Sequence, residues 1–160
     1  MDILFKTEDR VFSYRVAGIC VQNGMVLLQK PANDSAYAFP GGHVAFGETN
    51  AETLIREFRE EIGADITVGK LKWVAEVFFP WGNRPCHQIC LYYMVDILNP
   101  EIPKDGVFLA KEHLEGRSFD LEYHWVPLEE AEKLEIYPTQ TRKLLKKLHE
   151  GVAHFVYREG

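Results

Sequence analysis

Long apolar runs are missing from this chain of 160 residues. No stretch of about 18 consecutive apolar residues occurs, so no segment is expected to span a bilayer. The opening residues, Met1 to Lys6, lack the basic stretch and long apolar core of a secretion signal. Cysteine is scarce: Cys20, Cys86 and Cys90 are an odd, sparse set for a secreted disulfide scaffold and point to a reducing, cytoplasmic compartment. Cys86 and Cys90 stand four apart in a segment that reads as a strand, where roughly 13 Å of rise keeps them from pairing with each other. Without a CxxC pair, zinc held through thiols is not expected, and the three read as small buried hydrophobes. Positive charge is also in deficit, with 18 Lys plus Arg against 24 Asp plus Glu and a net charge of −6, which disfavours duplex nucleic acid as a partner. A polyphosphate ligand would therefore need local neutralisation, which a divalent cation supplies. Repeats, low-complexity tracts and Ser/Gly linkers are absent, so residues 1–160 read as a single globular domain.

What is present is an interleaving of strand and helix patterns. Residues 12–22 and 25–30 read as two antiparallel strands joined at Asn23-Gly24, a hairpin-turn pair. Residues 31–40 read as loop with a short strand at 37–39, closed by Gly41-Gly42. Thr49 followed by Glu52 is a capping-box pattern and Gly63 a C-terminal stop, which predicts a helix over 50–62 with Ala51, Leu54, Ile55, Phe58 and Ile62 on one buried face. Residues 66–79 and 88–97 read as long strands, with Pro80 to Pro85 as a loop. A strand over 119–126, a short helix over 128–134, an amphipathic helix over 139–150 with Leu144, Leu145 and Leu148 inward, and an edge strand over 152–157 complete the pattern. The expected class is α/β (α+β), a mixed sheet with helices on its faces.

The predicted helix concentrates acid. Glu57 and Glu61 are four apart and Glu60 is three from Glu57, so the three carboxylates share one side of the helix, beside its apolar face. Uncompensated charge there is costly, and a divalent ion with oxygen ligands accounts for the cluster better than a solvated acidic face does. Magnesium suits such a donor set, since it keeps waters and binds phosphate oxygens. Upstream, Gly41-Gly42 permits close backbone approach and can aim main-chain groups at an anion or metal.

Together, the run from Gly42 to Ala64 resembles the Nudix box, Gly-x5-Glu-x7-Arg-Glu-aliphatic-x-Glu-Glu-x-Gly-aliphatic, with Gly42, Glu48, Arg56, Glu57, Glu60, Glu61 and Gly63 filling every charged and glycine position. Phe58 and Ala64 depart from the usual aliphatics without removing a ligand. The Phe39-Pro40-Gly41-Gly42 lead-in and the later Trp125-Val126-Pro127-Leu128 also look like the family's layout. The resemblance implies a Nudix-type α/β/α sandwich whose loop–helix–loop holds Mg2+ or Mn2+. It also implies hydrolysis of the pyrophosphate linkage in a nucleoside diphosphate derivative: a nucleotide sugar, ADP-ribose, a nucleoside triphosphate or a dinucleoside polyphosphate. By matching position, Glu57 and Glu61 would be metal ligands, Glu60 a ligand or the base that activates water, Gly42 a main-chain contact, and Glu48 with Arg56 a supporting pair.

Several residues outside the box are weighed as additions. Glu122, with Asp120 behind it, is the candidate for a further acid at the metal; His43 is a candidate phosphate contact, while His87 and His124 read as ordinary strand residues. Phe78, Phe79 and Trp81 border a segment that offers a stacking surface for a base, and Arg84 a phosphate contact there. Pro80, 16 positions after Ala64, lies near where ADP-ribose-cleaving members of the family tend to carry a proline, and Lys30 and Tyr137 are further contacts to examine. Two other functions keep the fold. A non-catalytic nucleotide-binding or sensor module is opposed by the intact glutamate set, and an isopentenyl diphosphate isomerase-like enzyme needs an active-site cysteine in a motif that Cys86 and Cys90 do not have. Substrate selection is expected from the domain's own loops or from a second subunit in a homodimer.

Overall fold

The computed structural model describes residues 1–114 and 117–160. Its largest unit is a mixed sheet in the order β1 (Leu4–Lys6), β2 (Val11–Ile19), β7 (Arg84–Ile97), β6 (Ile66–Trp81), β10 (Ala153–Arg158), with β5 (Gly41–His43) also paired to β2. β2 runs parallel to β7 and β10 parallel to β6, while β6 and β7 form a long antiparallel hairpin. A second, antiparallel sheet has the order β3 (Val21–Gln22), β4 (Met25–Pro31), β9 (Arg117–Pro127), β8 (Val107–Leu114). The class is a mixed α+β fold, as expected.

Asn23 and Gly24 both take positive φ, 54° and 73°, the geometry of a type I′ turn. The hairpin they close is shorter than expected, because the strand predicted over 12–22 is split at Cys20. Ile19 buries into one hydrophobic cluster and Cys20 into the other, so the chain changes sheets there. The segment predicted as a loop over 80–85 is ladder instead, with Pro80 opposite Pro85 and Trp81 opposite Arg84 around a two-residue turn. Both prolines are tolerated because β2 pairs with β7 only from Cys86 and β10 with β6 only as far as Phe78, leaving that hairpin tip without outer neighbours to bond. Strands β1 and β8 had no clear signal in the sequence.

The α1 helix spans Asn50–Ile62. Thr49 Oγ1 accepts from the Glu52 N–H at 3.1 Å and Glu52 Oε1 accepts from the Thr49 N–H at 3.1 Å, completing the capping box, while Gly63 stops the helix at φ 67°. Leu54 and Phe58 are buried against the mixed sheet with Val16, and the second sheet contributes Tyr123 and Trp125 to the same cluster. Gly18 makes room for this contact, since a Cβ there would lie 2.9 Å from the Phe58 ring.

The other face of the mixed sheet carries little regular helix. Residues 128–133 form a 3₁₀ helix, α2 is the single turn Thr141–Leu144, and 145–147 continue as 3₁₀. The helix expected over 139–150 is broken into short turns, and Gln140 supplies no side-chain cap to start it. Leu145 is nonetheless buried, as its apolar spacing predicts. The second helical layer of the expected sandwich is thus reduced to short turns.

Phe58→Ala should cost about 3–5 kcal/mol, because it empties a site closed by Gly18, Val95 and the sheet. Chemical denaturation of the purified variant measures it.

Candidate active site

The loop before α1 is tied to the helix by one guanidinium. Arg56 Nε and Nη2 donate to the two Glu48 oxygens, each at 2.9 Å, and Thr53 Oγ1 donates to Glu48 Oε1 at 2.8 Å. The remaining Arg56 nitrogen, Nη1, donates to Glu57 at 3.1 Å and Glu60 at 3.3 Å. One cation thus serves three carboxylates. The Arg56 bonds, with Thr53, hold the Glu48 carboxyl below its ordinary range, and the same bonds raise the Arg56 pKa.

Glu57 lies closest to backbone. A Cβ added at Gly42 would come 2.4–2.7 Å from the Glu57 carboxyl atoms, so only glycine lets the carboxylate settle there. Burial raises the Glu57 pKa, opposed by a hydrogen bond shared with Glu61 and by Arg56. Glu61 also accepts from the Tyr123 hydroxyl at 2.9 Å, a fully buried side chain on β9. Glu60 is the most open of the three, with its side chain 60% exposed.

These carboxylates open on a cavity of about 600 Å³ that Gly42, His43 and Arg56 also line. One wall is a single face of the mixed sheet, supplied by alternate residues: Arg15 and Ala17 from β2, Val77, Phe79 and Trp81 from β6, Gln88 and Tyr92 from β7. The facing wall comes from Gln29 on β4, from Ala38-Phe39 and from Tyr137-Pro138. The Trp81 ring stands 6.0 Å from the His43 ring and 6.3 Å from the Phe79 ring, with the Lys6 ammonium 5.2 Å above it. Tyr137 and Tyr157 pair at 6.1 Å. Among the described residues, no three His, Cys, Asp or Glu side chains are drawn together tightly enough to cage a metal on their own. The helix carboxylates are engaged by Arg56, Tyr123 and one another.

The NUDIX domain family model matches residues 13–148, which includes the loop, the helix, the second sheet and the mixed sheet apart from its outer strands β1 and β10. The chain belongs to the Nudix family. Over 116 residues it is 30% identical to an ADP-ribose pyrophosphatase from Methanocaldococcus jannaschii, a match covering 67% of each chain. Over 59 residues it is 44% identical to a CTP pyrophosphohydrolase from Escherichia coli, covering 34% of this chain and 44% of that one. In structure it is similar to a MutT protein from Bacillus halodurans, with a TM-score of 0.60, 19% identity and coverage of 91% and 89%, a likeness of fold. This Nudix chain is an enzyme of the pyrophosphohydrolase class, and the family generally works with a divalent metal ion.

Of the residues singled out in the sequence, the Nudix-box set Gly42, Arg56, Glu57, Glu60 and Glu61 comes together on the cavity, with His43 and Trp81 beside it. Burial, then Arg15 and Lys6, push the His43 pKa down to about 4, so at neutral pH its ring is an uncharged hydrogen-bonding group. Arg84 is not brought there; its Nη1 donates to the Thr7 carbonyl at 3.0 Å. Nor is Glu122, which pairs with Lys30 at 3.0 Å and His124 at 2.9 Å. The two-residue strand period decides this outcome. Tyr123 faces Glu61, so its neighbours Glu122 and His124 face away. Phe78 likewise points from the cavity toward His87 and Arg158. The three cysteines are free and buried and none lines the cavity; burial pushes Cys20 up to about 12 and Cys90 up to about 11, against cysteine chemistry. Sequence reading missed Tyr123, Arg15, Gln29, Gln88 and Tyr157, each of which reads as an ordinary strand residue until pairing assigns its face.

Because Glu48 has a depressed folded pKa, the stability it supplies is complete above its ordinary value of 4.5 and is lost as pH falls through the folded value. Glu48→Gln should lose about 1 kcal/mol at pH 7. The gap in Tm to the parent should close progressively below pH 4.5.

Proposed function

We propose that this enzyme hydrolyses the pyrophosphate linkage of a nucleoside diphosphate derivative, using magnesium or manganese held by Glu57, Glu61, Glu60 and the main chain at Gly42. The observation that carries this reading is the opening of three carboxylates from one helix onto a cavity whose other reaches are aromatic. The residues present fit a divalent cation. The donors are hard oxygens, Gly42 leaves space against Glu57, and Glu57 and Glu61 approach closely enough to share a hydrogen bond, so a proton or a cation must offset their charge. When bound, the ion would neutralise phosphate charge and lower the pKa of an attacking water.

The chain's own groups supply the rest. Glu48 and Arg56 brace loop against helix, so that the Gly42 backbone and the helix carboxylates keep a fixed separation. Tyr123 orients Glu61 through its hydroxyl. Glu60, exposed and tethered through Arg56 Nη1, is suited to accept the proton of water. Phe79 and Trp81 offer faces to a base, Arg15 and neutral His43 line the cavity with groups that complement an anion, and the Lys6 ammonium stands over Trp81. We further propose one domain over 1–160 working in the cytoplasm, which accords with three free cysteines, as a monomer or a homodimer.

Glu61→Gln keeps an oxygen for Tyr123 and should retain the fold, while turnover with magnesium falls by about 100-fold or more. The assay spans ADP-ribose, nucleotide sugars, dinucleoside polyphosphates, nucleoside triphosphates and capped RNA, each with magnesium and with manganese. Unchanged turnover in the variant overturns the metal-site assignment. Nucleotide binding without hydrolysis of any substrate by the parent overturns the reading of these substrates in favour of a sensor.

A further inference from the structure

Gln29 carries a buried side-chain carbonyl that finds no hydrogen-bond partner among the described residues. It is 8% exposed, and its Oε1 is enclosed without a hydrogen-bond partner. An orphaned buried carbonyl is a net cost to folding, and leucine at the same place would carry none of it. The position is otherwise that of a core residue: Gln29 pairs with buried Tyr123 across the ladder and shares a face with buried Leu27. The Gln29 backbone is fully used, bonding Ala38 in both directions at 2.8 Å. The side-chain carbonyl is left unpaired, and Gln29 lines the cavity.

A second carboxamide lines the other wall. Gln88 Oε1 accepts from the hydroxyl of fully buried Ser13 at 3.0 Å, which fixes the plane of the amide and leaves its NH2 as the group to be presented. Phe79, Trp81 and Tyr92 rings line the same space, and the helix carboxylates border it. A heterocycle inserted between the walls would have its faces against rings and its polar edge against the amides. Asn and Gln amides match the donor–acceptor edges of nucleobases, with a correct pair worth about tenfold or more in discrimination.

We propose that Gln29 and Gln88 read the hydrogen-bonding edge of the substrate's base and so set which nucleoside the enzyme accepts. This rests on the nucleoside diphosphate reading above. Among the described residues the Gln29 carbonyl has no hydrogen-bond partner, and Gln29 stands at the cavity wall, where a donor on a bound ligand would supply one. It follows that removing the orphaned amide should stabilise the free protein while weakening its choice of ligand.

The test compares the parent with Gln29→Leu and Gln88→Met on matched ADP-, GDP-, CDP- and UDP-sugars, reading kcat and KM separately. Tm and Mn2+ affinity are measured alongside. The parent should favour one base by about tenfold or more. Gln29→Leu should shrink that preference by about fivefold or more through KM, with Tm equal or higher and Mn2+ affinity kept. Gln88→Met, which leaves Gln29 in place, should shrink the preference too and covers the case in which Gln29→Leu does not fold. A base preference unchanged in both variants overturns the proposal, as does a parent that cleaves all four substrates alike. Weakened Mn2+ affinity with the preference intact also overturns it, assigning Gln29 to the metal end instead. If the parent cleaves none of the four but hydrolyses another class of phosphoanhydride, the failure lies with the nucleoside reading.

Discussion

Everything at the cavity depends on how closely bare backbone can lie against β2 and α1. At Gly41 a Cβ would fall 2.0 Å from the Val16 carbonyl oxygen, and at Gly42 it would strike the Glu57 carboxyl. Gly18, on β2, accepts the Phe58 ring in the same manner. Consecutive helix residues, one charged and one aromatic, therefore each rest on a glycine. Burying Phe58 contributes about 1.5–3 kcal/mol, which helps to offset the cost of holding the Glu57 carboxylate mostly out of water next to it. Neither residue could occupy its place if the strands beneath carried side chains at those points.

The strand period then turns this contact into a site. On β2, β6 and β7 the residues that fill the first core, such as Ile19, Trp73, Ala75 and Cys90, share their face with those that line the cavity, such as Arg15, Ala17, Phe79, Trp81 and Gln88. The cavity is the uncovered end of the hydrophobic core, and on β2 the residues of that face pass from Ile19 and Ala17 to Arg15 as the strand leaves the covered region. Helix α1 sits on the opposite face, and its carboxylates reach the cavity past β5, where the glycines thin the sheet edge.

Local chemistry was the most legible part of the sequence. The Asn23-Gly24 turn, the Thr49 capping box and the Gly63 stop involve residues within a few positions of one another, and each appears as its pattern predicts. The box carboxylates were legible for the same reason, since helix spacing alone puts them together. Pro80 and Pro85 misled because proline excludes a paired strand only where its missing N–H faces a neighbour, and which strands have neighbours is a property of the whole sheet. Glu122 misled differently. Its acidity drew attention, while the register that turns Tyr123 inward depends on pairing with β4, which is not encoded locally. The apolar spacing at Leu144, Leu145 and Leu148 correctly marked a buried side but not a long helix, because burial of Leu145 needs only one turn.

Trp81 stands on a paired strand, closed by a two-residue turn in which Gly82 takes φ 63°. An aromatic surface carried on a floppy connection would lose conformational freedom each time a ligand docked, whereas this one has surrendered that freedom during folding. Recognition at that wall is therefore set by which side chain occupies the strand and not by how the backbone rearranges. In such a geometry, changing ligand preference is a matter of exchanging single residues along β6 and β7, with the length of their connection held constant.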